Sequence, residues 1–179
     1  MTHYVYTATS LDGFIATNDG RIDWLEEIPN PEKSDFGFAA FMKGIDALVM
    51  GRKTFEKVLT FSNWPYERPV YVLTRNKSKL NVPCELETKV EFVSGSPRSV
   101  VVYLNELGHH NLYIDGGITI QGFLAEDLID EMILTRVPLL LGSGIPLFGV
   151  LNQTLHFKHI STEVFNDTLV KSHYIRIRE

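Results

Sequence analysis

The sequence has a single cysteine, Cys84, in 179 residues. One thiol builds neither an intramolecular disulfide nor a cysteine-based metal site, and it points to a reducing compartment. No apolar run approaches the ~20 residues that span a bilayer. The opening Met1-Thr2-His3-Tyr4 lacks the basic stretch and apolar core of a secretory leader. Positive charge is not in excess either: the formal net charge is −5, which argues against a nucleic-acid or anionic-membrane surface. The expectation is a soluble, cytoplasmic protein that binds neither nucleic acid nor membrane. Common catalytic signatures are also missing. There is no G-x-G-x-x-G after the first strand candidate, no G-x-x-x-x-G-K-[ST] phosphate loop and no G-x-S-x-G elbow. The six histidines offer no metal site. His156 and His159 lie three apart on a predicted strand and face opposite sides, and His109-His110 falls in a loop after a helix.

What is present is a chain 44% hydrophobic and 22% charged, enough for one globular domain over 1–179. Runs rich in β-branched and aromatic residues alternate with helical patterns. Strands are predicted at Tyr4–Thr9, Ala47–Met50, Pro69–Leu73, Val90–Val93, Asn111–Asp115 and Met132–Val137. Helices are predicted at Ser34–Lys43 with Ser34 as cap, at Thr54–Leu59 with Thr54 as cap, from Ser96-Pro97 to Leu107, and from Ile118 to Leu128. Phe14-Ile15-Ala16 reads as the lead into a polar loop, and Leu155–Val164 with Thr168–Ile177 as a hairpin around Asn166-Asp167. Alternating strands and helices call for an α/β fold, a mainly parallel sheet with helices on both faces and an antiparallel terminal hairpin at one edge.

Three strand-to-helix junctions could carry chemistry. Gly51-Arg52-Lys53-Thr54 places a glycine, two cations and a helix start at the end of an apolar strand, an arrangement suited to a phosphate. Thr74-Arg75 sets a second guanidinium at a strand end. Gly116-Gly117 follows a strand and permits close approach of a ligand to backbone. Taken together they favour a bound dinucleotide. Asp35 is the candidate for catalysis. It either supports its own helix start or stands at a cleft where it hydrogen-bonds or protonates a nitrogen heterocycle, and periodicity leaves both roles open.

Four segments in order, Ser10-Leu11-Asp12-Gly13-Phe14-Ile15-Ala16, Ala47 to Glu56, Tyr71-Val72-Leu73-Thr74-Arg75 and Tyr113-Ile114-Asp115-Gly116-Gly117, resemble the dihydrofolate reductase-like superfamily. With Leu139 to Phe148, they are most similar to the carboxy-terminal reductase domain of the riboflavin-biosynthesis deaminase–reductase and its stand-alone relatives. The likeness spans about Tyr4 to Tyr174. It implies a homodimeric, NADPH-dependent reductase of a pterin- or pyrimidine-type heterocycle, most like 5-amino-6-(5-phosphoribosylamino)uracil reductase. The alternatives are a dihydrofolate reductase, or a non-catalytic nucleotide-binding protein that kept the cleft.

Carried over by position, Ala8 and Ile15 would border the nicotinamide. Gly51, Arg52, Lys53 and Thr54 would hold the pyrophosphate and the adenosine 2′-phosphate, with Thr74 and Arg75 on the adenosine side. Gly116, Gly117, Ile118, Thr119 and Ile120 would form the second phosphate junction. Arg52 and Arg75 would favour NADPH over NADH, because an added phosphate wants guanidinium partners. Asp35 precedes Arg52 by the separation some dihydrofolate reductases show, and Thr135 falls where those enzymes keep a threonine beside the carboxylate. Asp12, Ser143 and Gly144 would line the substrate end. The tryptophan–leucine–proline run that normally precedes the carboxylate is absent, and no deaminase zinc signature H-x-E…P-C-x-x-C occurs.

Overall fold

The computed structural model describes residues 1–31, 33–75 and 82–178. The strands are β1 (Thr2–Ser10), β2 (Phe14–Ala16), β3 (Ala47–Gly51), β4 (Val70–Leu73), β5 (Val90–Val93), β6 (Asn111–Asp115), β7 (Glu131–Val137), β8 (Ile145–Pro146), β9 (His156–Phe165) and β10 (Leu169–Ile177). Helices α1 (Phe38–Met42), α2 (Arg52–Val58), α3 (Pro97–Glu106) and α4 (Gly117–Ala125) connect them. Eight strands form one sheet in the order β5-β4-β3-β6-β1-β7-β10-β9. The six from β5 to β7 run parallel, and β10 and β9 close that edge antiparallel. Among the described residues no helix is long and apolar enough to cross a membrane.

Both faces of the sheet are covered, and β3 shows why its sequence is apolar throughout. Ala47 and Val49 pack with Val100, Leu104, Ile120 and Phe123 beneath α3 and α4. Leu48 and Met50, pointing the other way by the period of two, pack with Phe55 and Val58 of α2 and with Phe38 and Phe41 of α1. A third cluster, Trp24, Val137 and Leu169 with Leu25, Ile28 and Phe36 against it, lies under the 17–37 loop. That loop forms one wall of the cleft described below.

Several elements differ from the sequence-based expectation. The first helix starts at Phe38 rather than Ser34, because Phe36 and Gly37 both have positive φ, 53° and 92°. Ser34 caps a turn instead, its Oγ accepting the Phe36 N–H at 3.0 Å. Thr54 lies inside the first turn of α2, and Gly51 takes the cap position with no side-chain cap bond. Helix α4 ends at Ala125, where a positive φ at Asp127 turns the chain and the Leu128 N–H closes onto Phe123 O at 2.9 Å. Phe14–Ala16 is a strand, not a loop lead-in: β2 pairs antiparallel with β8 in a separate ribbon, and a partner two residues long leaves no periodic signal. The hairpin is as expected, with Asn166 and Asp167 both in the left-handed conformation that a two-residue turn needs.

Candidate active site

Parallel strands of one sheet end together, so the carboxyl ends of β1, β3, β4, β6 and β7 share one edge, where open α/β sheets bind ligands. Two helix starts meet there, Arg52–Thr54 after β3 and Gly117–Thr119 after β6, and they interlock through two glycines. A Cβ on Gly51 would stand 2.8 Å from Thr119 Oγ1, and a Cβ on Gly116 would collide with Thr54 Oγ1. Each glycine thus leaves the space that the other junction's threonine fills. Gly116 needs to be glycine on a second count, its φ of 86°. Gly117 packs on Ile15, whose Cδ1 would lie 3.0 Å from an added Cβ. Helix α4 has no side-chain cap, so its first-turn N–H groups have no intrahelical acceptor and face this junction. Ile118 in that turn is 73% exposed while Ile120 is fully buried in the core.

The cations lie beside this interlock. Arg52 Nε donates to Glu56 Oε1 at 2.8 Å one turn along α2, and Lys53 is exposed. Thr74 is buried at the end of β4, its N–H bonded to Val93 O at 2.9 Å, and Arg75 is exposed next to it.

A cleft of about 380 Å³ opens between β1, β7 and the 17–37 loop, within the range of small-molecule sites. It brings together Ala8, Asp35 and Thr135, with Tyr6, Phe36 and Phe38 as aromatic walls. Register explains the grouping: Ala8 pairs with Thr135, and Thr135 with Lys171, in a row across β1, β7 and β10. Asp35 arrives from the loop. Its Oδ1 accepts the Gly37 N–H at 2.9 Å and its Oδ2 the Ala39 N–H at 2.8 Å, and these bonds hold the carboxyl below the usual carboxylate range. Asp35 therefore supports the start of α1 and stands on the cleft wall, ionised at neutral pH.

Phe36 carries the backbone strain that puts Asp35 there. A bulky residue at φ 53° costs on the order of 1–3 kcal/mol. Its carbonyl is fixed by two donors, Tyr6 Oη at 2.8 Å and Lys171 Nζ at 3.0 Å. Burial, helped by the Asp35 and Glu163 charges, pushes the Tyr6 hydroxyl up to about 12, so it remains a donor at every physiological pH. Lys171 also pairs with Glu163 at 2.9 Å and lies over the Phe165 ring.

Asp12, Ser143 and Gly144 are grouped by the structure, though outside the cleft walls. Asp12 accepts from Ser10 Oγ and from the Leu141 and Gly142 N–H groups, clamping the 139–144 loop onto the first strand. Ser143 Oγ accepts from Asn18 Nδ2 at 3.1 Å. Gly144 lies so close to the Ala16 carbonyl that a Cβ would strike it.

Sequence reasoning passed over Asp115. It ends β6 directly before Gly116, and its Oδ1 accepts the Gly116 N–H at 2.8 Å. Averaged over the residue Asp115 is half-buried, but its carboxyl is enclosed by protein and bonded by the Tyr66 and Tyr113 hydroxyls. Desolvation outweighs those bonds and raises its pKa. The Tyr113 hydroxyl also donates to the Tyr6 carbonyl at 2.9 Å, which ties the end of β6 to β1. The signal was a carboxylate closing the strand after Leu112-Tyr113-Ile114; its tyrosine partner at 66 is too distant in sequence to find.

A family model described as the RibD C-terminal domain matches residues 4–171. The uncharacterized protein YwjB of Bacillus subtilis (strain 168) is 36% identical over 176 residues, 96% of each chain. The crystal structure of a candidate riboflavin biosynthesis protein from Shewanella sp. PV-4 is 50% identical, covers 99% of this chain and 100% of its own, and superposes with a TM-score of 0.92. Dihydrofolate reductase from Enterococcus faecalis, complexed with NADP(H) and RAB-propyl, has the same fold at 18% identity, with a TM-score of 0.69 and coverage of 98% of this chain and 96% of its own.

Proposed function

The chain belongs to the RibD C-terminal domain family, and from that premise we propose that it is an NADPH-dependent reductase of a small pterin- or pyrimidine-type molecule. The observation that carries the proposal is the reciprocal contact of Gly51 with Thr119 and of Gly116 with Thr54. It sets an uncapped helix start and the Arg52 and Lys53 side chains beside an aromatic-walled cleft at one sheet edge. Those residues suit a dinucleotide. The first-turn N–H groups of α4 would donate to phosphate oxygens, Arg52 and Arg75 would take the 2′-phosphate, and exposed Ile118 would gain cover. When bound, NADPH supplies the hydride.

The chain's own residues bind and orient the acceptor. Tyr6, Phe36 and Phe38 provide flat apolar walls, and Ala8 leaves room at the floor. Thr135 offers a hydroxyl from the next strand, and the Asp35 carboxylate accepts a hydrogen bond from a ring N–H. Because Asp35 is held ionised, it contributes by orienting and by stabilising positive charge on the ring, and the proton that balances the hydride comes from water or from the ring itself. We also propose that two copies associate, since the ten-residue edge strand β9 presents Ile160 and Val164 outward, 44% and 60% exposed, with a backbone edge that pairs with no other strand among the described residues.

The test is NADPH oxidation in the presence of a ribosylaminopyrimidine or of dihydrofolate. Turnover with one of them is expected, and Asp35→Asn lowers it roughly tenfold to a hundredfold. Tight NADPH binding with no oxidation by any reducible heterocycle would instead make the protein a nucleotide binder without turnover.

A further inference from the structure

The peptide unit between Phe36 and Gly37 is held at both ends. Its N–H donates to Asp35 Oδ1 at 2.9 Å, and its carbonyl accepts from Tyr6 Oη and from Lys171 Nζ. The unit is planar, so whatever fixes the direction of the carbonyl also fixes the direction of the N–H. Tyr6 lines the cleft, whereas Lys171 of β10 is not one of the lining residues. Its ammonium is anchored from the other side by Glu163 of β9, its partner in register, and lies over the Phe165 ring. The Lys171 side chain is only 15% exposed, and a cation so placed makes a stronger bond to a carbonyl than a neutral hydroxyl does.

Two more contacts from the same hairpin reach the loop. Phe165 packs edge-on against Phe36 with ring centroids 5.4 Å apart, and Asn166 Nδ2 donates to the Pro29 carbonyl at 3.1 Å. The interlock of Gly51 with Thr119 and of Gly116 with Thr54 lies elsewhere, among β3, α2, β6 and α4, across β1 from the hairpin in the sheet order. Freed from its donors, Phe36 returns to the negative φ that its Cβ favours, the peptide turns, and Asp35 loses the Gly37 N–H. We infer that Lys171 is a positioning residue for the acceptor side of the site: by gripping the Phe36 carbonyl it aims the Gly37 N–H at Asp35 and so presents that carboxylate to the cleft. That role rests on reading the cleft as the acceptor site of a reductase, and it adds that the terminal hairpin governs this side and leaves the cofactor side independent.

The experiment compares the parent with Lys171→Met, which keeps an apolar stem over Phe165, and with Lys171→Arg, which keeps a cationic donor. Amide exchange followed by NMR reads the turn with no ligand present. In Lys171→Met the Gly37 and Ala39 amides are expected to exchange about tenfold faster or more, measured against the amides of β3 and β6, and Lys171→Arg recovers much of the protection. A carbon-13 titration of Asp35 moves in step, its pKa rising in Lys171→Met toward the ordinary carboxylate value. NADPH affinity stays at the parent value, and KM for an acceptor that the parent reduces rises while NADPH binding holds. A raised Asp35 pKa with unchanged amide protection overturns the inference, because the ammonium then acts on Asp35 by charge alone. Loss of protection throughout β3 and β6 overturns it too, since Lys171 then supports the whole fold, and so does a Lys171→Arg protein no better protected than Lys171→Met. Exchange needs neither cofactor nor acceptor, so it fails separately from the reductase reading: fast exchange in a protein that binds no NADPH removes that reading and leaves the turn as argued, and unchanged exchange with NADPH bound does the reverse.

Discussion

Gly116→Ala is expected to lose NADPH binding and to lower stability by about 2–4 kcal/mol. Two costs add. The backbone at Gly116 sits at φ 86°, a region that a Cβ disfavours by roughly 1–2 kcal/mol. The added methyl then strikes Thr54 Oγ1, whose side chain fills the space that glycine leaves. Thr54 must turn or α2 must shift, and either movement separates two helix starts assigned to the cofactor phosphates. The companion variant isolates the second cost. Thr54→Ala in the Gly116→Ala background removes the clashing hydroxyl and leaves the conformational cost, so part of the stability returns. Thermal or denaturant unfolding of the single and double variants measures both. If Gly116→Ala unfolds like the parent and binds NADPH equally well, the interlock has been misjudged.

The second large effect is expected at Asp115, with the opposite sign. Its carboxyl is enclosed, and desolvation raises its pKa in the folded chain above the ordinary carboxylate value. A group with a raised folded pKa contributes its stability below the unfolded pKa and loses it as pH rises through the folded one. Asp115→Asn keeps an acceptor for the Gly116 N–H and removes the charge that must otherwise be buried or neutralised. The variant is therefore more stable than the parent at neutral pH, with Tm higher by a few degrees, and the gap closes as pH falls toward about 4. The comparison between variant and parent matters, because Asp35 and Asp46 shift the other way and weaken both proteins in acid. A variant less stable than the parent at neutral pH would mean that the ionised carboxylate is itself the group the Tyr66 and Tyr113 hydroxyls serve.

Local chemistry made much of the fold legible in the sequence. Asn111–Asp115 is a strand at the expected residues because Leu112, Tyr113 and Ile114 are buried among β1, β3 and the helices. Ser96 caps α3 as its spacing before Pro97 requires, with the Ser99 N–H on Ser96 Oγ at 3.2 Å. The sequence marked Gly116 and Gly117 as positions that a ligand could approach and Gly51 as part of a phosphate junction, and what the structure places against the three is protein: Thr54, Ile15 and Thr119. The cleft was harder to read. Its outer wall comes from a loop whose Leu25, Ile28, Asn30 and Phe36 follow no period. The left-handed turn at Phe36-Gly37 runs against the preference of phenylalanine, and the Tyr6 and Lys171 bonds that hold it come from 30 and 135 residues away. Tertiary contacts override local propensity there, and no pattern in the chain announces them.

Binding of NADPH at the two interlocked helix starts is measured by titrating the protein with NADPH and, in parallel, NADH while following tryptophan fluorescence. Trp64 packs edge-on against Phe55 of α2, and Trp24 lies in the cluster behind the cleft, so both report on the site. Saturable quenching by NADPH is expected, at least about tenfold tighter than by NADH, with the preference lost in Arg52→Ala. Failure of both nucleotides to bind, or equal binding unaffected by Arg52→Ala, would contradict the account.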